Sequence, residues 1–97
     1  MTIDKKLTVW KFPMRIADVA VAEMPKGARL LRAGIQNDTF CVWALVDPEA
    51  PKVERRVRIA GTGHPIAADL TEVYVNTFEM HGGALVFHVF DLGELRF

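Results

Sequence analysis

The residues able to do chemistry gather between Arg29 and Pro65, in the run RLLRAGIQ, TFCVWALV, VERRVRIA and GTGHP. Arg32, Trp43, Arg56 and Arg58 stand out. Guanidinium groups bind phosphate or carboxylate through paired hydrogen bonds, and an indole stacks on a base or on an arginine. On one surface these four would form a platform for a nucleotide or another anion. The plainer reading is a solvated outer sheet face, with Arg32 over Trp43 and with Arg56 or Arg58 paired to Glu54 or Glu49. The turn that follows, Gly61-Thr62-Gly63-His64-Pro65, has two glycines that let backbone N–H groups converge on an anion, and Thr62 and His64 add polar side chains. It is neither a Walker loop nor a dinucleotide fingerprint, because no lysine–serine pair and no long helix follow it. Its plainer role is a tight connection.

Catalysis and metal binding find less support. His64, His81 and His88 are the three histidines, and their spacing fits no zinc signature. His64 is the one candidate for acid–base or ligand contact, as an accessible loop histidine near arginines. His88, between Phe87 and Val89, reads as a hydrogen-bonded, half-buried strand residue. Cys41 is the only cysteine. It lies mid-strand beside Gly34 and reads as a small buried hydrophobe, since a nucleophile needs a base and an oxyanion hole. The carboxylates are scattered, and no pair stands out for proton transfer. The expectation is a protein that is not an enzyme, with no cofactor and no metal.

The elements that must position these residues are strands. Lys6 to Phe12 reads as the first, ended by Pro13. Ile16 to Met24 mixes helix-favouring alanines with alternation, and reads as a strand from about Asp18. Pro25-Lys26-Gly27 is a turn. Arg29 to Gln36 and Thr39 to Val46 flank Asn37-Asp38, a pair suited to a tight hairpin. That hairpin would set Ile35 opposite Phe40, Ala33 opposite Val42 and Leu31 opposite Ala44 on a core face. Leu30 with Leu45, Arg32 with Trp43, and Gly34 with Cys41 would share the other. After the Asp47–Pro51 turn, Val53 to Ala60 reads as the third strand of a meander. Val57 and Ile59 would face the core, and Arg56 and Arg58 would join Trp43. Ile66 to Leu70 suits one short helical turn after Pro65. Glu72 to His81 and Ala84 to Asp91 form a hairpin across Gly82-Gly83. There Phe78 faces Phe87, Met80 faces Leu85, Glu79 faces Val86 and Thr77 faces His88. The tail, LGELRF, reads as frayed or docked on another chain.

Six or seven strands with at most one short helix, and turn signals roughly every 8–12 residues, predict an all-β, mainly antiparallel small barrel or sandwich. The 97 residues predict one domain, 1–97, able to form a core without staples. With 51% hydrophobic and 25% charged residues the chain is not of disordered composition. Its net charge of zero excludes a bulk field for nucleic acid or an anionic membrane, so an anion site must be local. A single cysteine excludes an internal disulfide, which makes a reducing cytoplasm the expected setting. The start, MTIDKKLTVWKF, lacks the apolar run of a signal peptide. The run Phe40 to Val46 is far short of the roughly 20 residues that span a bilayer. A soluble protein without membrane contact is expected.

From Met24 onward three blocks, MPKGARLL, VWALVDPEAPKVERRVRIAGTGHPI and GGALVFHVF, resemble small proteins of unknown function encoded by tailed bacteriophages and prophages. The resemblance covers about three quarters of the chain. It implies a viral setting in a bacterial cytoplasm and no need for catalysis. Small accessory phage proteins often counter host defence by binding a defence protein or sequestering a nucleotide signal, an analogy rather than a deduction. Two readings follow. In the first, the protein sequesters an anionic nucleotide-type ligand held by Arg32, Trp43, Arg56, Arg58 and the Gly61–His64 turn, in a homo-oligomer that completes the pocket. In the second, the same residues anchor a protein–protein interface with a host defence protein or serve a structural role.

Overall fold

The computed structural model describes residues 5–67 and 72–95. These form seven strands: β1 (Thr8–Pro13), β2 (Val19–Pro25), β3 (Arg29–Gln36), β4 (Thr39–Val46), β5 (Lys52–Gly61), β6 (Val73–Met80) and β7 (Leu85–Glu94), with one 3-10 turn at His81–Gly83. All pairings are antiparallel. The strands make a three-stranded sheet, β1-β4-β3, and a four-stranded sheet, β2-β5-β7-β6. This is the expected all-β architecture. The segment expected to be a helical turn lies partly outside the described residues, and Ile66 and Ala67 have no regular structure.

Two hairpins form for local reasons. Asn37 and Asp38 both take positive φ, 51° and 60°, as the tight two-residue turn requires. The β3–β4 register then runs Gln36↔Thr39, Ile35↔Phe40, Ala33↔Val42 and Arg32↔Trp43, as expected. The expected partnership of Leu31 with Ala44 fails. A bulge at Leu31 gives Ala44 to Leu30 and Leu45 to Arg29, and leaves Leu31 exposed. In the β6–β7 hairpin, Phe78↔Phe87, Met80↔Leu85, Glu79↔Val86 and Thr77↔His88 pair as expected.

The three-strand meander does not form. β4 pairs with β1 and β3, while β5 leaves for the other sheet and pairs with β2 and β7. The segment Asp47–Pro51 is thus a crossing between sheets rather than a hairpin turn. The tail is also ordered further than expected: β7 continues through Glu94, and the Leu95 amide donates to the Glu54 carbonyl at 2.9 Å. Near the start, Lys5 pairs with Asp47 at 3.0 Å, and this hydrogen bond, with the Glu49 amide, holds the Asp47 carboxyl below its ordinary 3.8.

Both sheets bury one face in a common core. β4 contributes Phe40, Val42, Ala44 and Val46, and β5 contributes Val57 and Ile59. Phe40 stacks on Phe78 with ring centroids 5.3 Å apart, which couples β4 to β6 across the interior. Burying each such large side chain is worth about 1.5–3 kcal/mol. The inward residues of β2 are Ala20, Ala22 and Met24, opposite Val57, Arg55 and Val53. Of the two alanines, which gave the segment its helical flavour, Ala22 stands beside the buried Arg55 and leaves room for its side chain.

Candidate functional site

Two bulges decide what the four-stranded sheet presents, because an extra residue reverses the alternation beyond it. On β6 the bulge at Val75 lets Tyr74 pair outward with Phe90 while Asn76 turns inward opposite Val89. On β7 the bulge at Leu92 lets Asp91 face Val57 while Gly93 faces Arg56 and Glu94 faces Arg55. Asp91 and Glu94 therefore both reach Arg55, although strict alternation would separate them. The Arg55 Nε donates to Asp91 Oδ1 at 2.9 Å and one terminal nitrogen to Oδ2 at 2.6 Å. The other terminal nitrogen donates to the Ala28 carbonyl at 2.7 Å and lies 3.9 Å from Glu94. Glu94 in turn accepts the Gly27 amide at 2.6 Å. Arg55 was not singled out from the sequence, yet its signal was there: it shares parity with Val57 and Ile59 and so had to enter the core.

The outward face carries Arg56 and Arg58. Arg58 stands in a row that crosses all four strands, Val19, Arg58, Phe90 and Tyr74. Tyr74 meets Phe90 edge-on at 5.7 Å. The next row holds Val21, Arg56 and Gly93. Neither arginine pairs with a described carboxylate, neither with Glu54 nor with Glu49. The Nε atoms of both are buried without a hydrogen-bond partner. Among the described residues the one hydrogen bond of the Arg58 side chain goes to the Pro65 carbonyl, at a long 3.4 Å.

The eight residues expected to form one platform do not converge. Arg32 and Trp43 lie paired on the outward face of the three-stranded sheet, whereas Arg56 and Arg58 lie on the four-stranded one. The common core separates them. Lys11 is Trp43's other neighbour, and its ammonium reaches Gln36 at 2.8 Å across the row of Cys41. Cys41 is buried, the expected role. Arg32 lies along its own strand, its Nε 3.8 Å from where a Cβ on Gly34 would sit.

Nor do the Gly61–His64 amides form an open anion cradle. The Thr62 amide donates to Val86 at 3.1 Å and the His64 amide to Gly61 at 3.0 Å. The His64 ring folds over Gly61, 2.9 Å from the place of a Cβ there, so a side chain at that position would push the ring aside. The Thr62 hydroxyl bonds His88 Nε2 at 2.7 Å, His88 Nδ1 bonds Thr77 at 2.9 Å, and Thr77 bonds the Tyr74 hydroxyl at 2.7 Å. Thr62 is thus committed to a four-residue surface chain, and His88 is the half-buried, hydrogen-bonded residue expected.

Beside the β7 bulge lies a cavity of about 400 Å³ lined by Arg56, Glu72, Val73, Asp91, Leu92 and Gly93. Sequence reasoning missed it, since no local pattern announces the bulge. Among the described residues no helix is long and apolar enough to cross a membrane. The chain matches no curated protein and no solved structure. Residues 5–96, nearly its whole length, match a family model, and the chain belongs to that family: the domain of unknown function DUF7352.

Proposed function

We propose that this protein is a binding module without catalysis, and that its ligand is an anionic, nucleotide-type molecule held on the outward face of the four-stranded sheet. One observation carries this: Arg56 and Arg58 stand two residues apart on β5 with no carboxylate partner among the described residues and with buried, unpartnered Nε atoms. Alternate strand residues are about 7 Å apart, close enough for both guanidinium groups to share one phosphate cluster. Phe90 and Tyr74, in register with Arg58, take the stacking role first given to Trp43. The setting that fits is a phage accessory protein in the bacterial cytoplasm that sequesters a host defence signal. A second copy would cover the open face.

The test is thermal unfolding against linear and cyclic nucleotides. A ligand at about 100 times its Kd adds roughly 2.7 kcal/mol, several degrees for a chain of this size. Arg56→Ala and Arg58→Ala should stay folded and lose most of that shift. If both respond to every nucleotide as the parent does, the site is elsewhere. A second reading has its own support: Val19 and Val21 stand beside the two arginines and are 39% and 45% exposed. Apolar residues around arginine and tyrosine are typical of protein interfaces. A flat nucleotide panel together with a stable host-protein complex lost in Arg58→Ala would favour it.

A further inference from the structure

We infer that the cavity beside the β7 bulge receives the edge of a nucleobase, one that gives a hydrogen bond to Glu72 and takes one from Arg56. The inference rests on the nucleotide reading above and adds which end of the ligand goes where.

Three charged side chains line this cavity: Arg56, Glu72 and Asp91. Asp91 is already spent. Its Oδ1 accepts Arg55 Nε and the Gly93 amide, and its Oδ2 accepts the second Arg55 nitrogen. Arg56 and Glu72 are not. Arg56 Nε and Glu72 Oε2 are both buried, both without a hydrogen-bond partner, and the two side chains form no ion pair with each other. Buried polar groups are nearly always satisfied, and exceptions mark sites where something else completes them. The cavity's 400 Å³ lies within the range of small-molecule sites, about 300–1,000 Å³.

The chemistry selects the occupant. A phosphate would meet the Glu72 carboxylate, and an ammonium would meet Arg56. A neutral group with a donor beside an acceptor satisfies both, and every nucleobase presents such an edge. Val73 and Leu92 supply apolar walls, and Tyr74, next to Val73, offers a ring face on the adjoining surface. Gly93, at φ 87°, has nothing within 4 Å of where a Cβ would be, so that wall stays open. The phosphate then belongs with Arg58 and the outward nitrogens of Arg56, and the base belongs in the cavity.

The experiment compares the four nucleoside monophosphates with ribose 5-phosphate by titration calorimetry, on the parent and on Glu72→Ala. The parent should bind the preferred nucleotide about tenfold or more tightly than ribose 5-phosphate, since a site with two waiting polar groups discriminates against a ligand that leaves them unpaired. Glu72→Ala should erase that preference while ribose 5-phosphate binds as before, which also shows that the variant is folded. If ribose 5-phosphate binds as well as every nucleotide, or if Glu72→Ala keeps the preference, the cavity does not read the base, and the anion reading stands alone. If neither ribose 5-phosphate nor any nucleotide binds the parent, both readings fall.

Discussion

Between β3 and β6 the two sheets are joined by the side chain of one asparagine, whereas between β1 and β2 no described hydrogen bond joins them. Asn76 behaves like a strand residue turned sideways. Its Oδ1 accepts the Ala33 amide at 2.7 Å and its Nδ2 donates to the Ala33 carbonyl at 2.9 Å. The Val75 bulge aims it there, and the Phe40–Phe78 stack packs close by. Of the ten exposed large apolar side chains among the described residues, six lie on β1 and β2 or just before them: Leu7, Val9, Trp10, Ile16, Val19 and Val21. The contrast teaches that this sandwich is closed on one side and left open on the other. Closure requires a polar group that completes the ladder, not merely apolar contact.

Substitutions at three places test that contrast. The largest effect belongs to Arg55, which pins the β2–β3 connection through the Ala28 carbonyl on the way from one sheet to the other. Arg55→Met leaves Asp91 uncompensated and should cost about 3–5 kcal/mol in urea unfolding, and Arg55→Met with Asp91→Leu should recover part of it. A single variant as stable as the parent would show that the connection is held by other means. Asn76→Ala strips the partner from two backbone groups of Ala33 and should cost about 1–3 kcal/mol. Hydrogen exchange at the Ala33 amide should speed up in that variant, and unchanged protection would mean that apolar packing alone closes the seam. The smallest effect is expected on the open side. Val9→Lys with Val21→Lys should alter stability by less than about 0.5 kcal/mol each. A loss above about 1 kcal/mol would show that this seam is packed after all.

The parts of the fold legible in the sequence were those set by local chemistry. Asn37-Asp38 tolerates positive φ, so the turn fixes the register through to Arg32↔Trp43. The β6–β7 pairing follows from the glycines and the aromatic alternation. The destination of β5 was not legible. Asp47–Pro51 ends one strand and starts another whether the chain turns back or crosses over, and the choice is made by which buried face Val57 and Ile59 complete. Alternation correctly put Arg56 and Arg58 on an outward face. It failed wherever a bulge intervened, at Leu31, Val75 and Leu92, and those are the places that aim Asn76, Tyr74, Asp91 and Glu94. So the arginine half of the candidate site was readable, and its aromatic and carboxylate half was not.

The crossing at Asp47–Pro51 also orders events in time. Two strand pairs, β3–β4 and β6–β7, are joined by short turns and can zip within about 1–10 μs. The pairings β1–β4, β2–β5 and β5–β7 must each close a longer loop, which slows a chain dominated by distant contacts. β1 leaves the ribosome first but has no partner until Thr39–Val46 has followed it. Until β1 arrives, β4, the most apolar strand, keeps one edge bare. A chain held at that stage offers TFCVWALV to any passing copy of itself. The N-terminal strand, although its side chains are mostly exposed, thus acts as the guard of the core strand during birth.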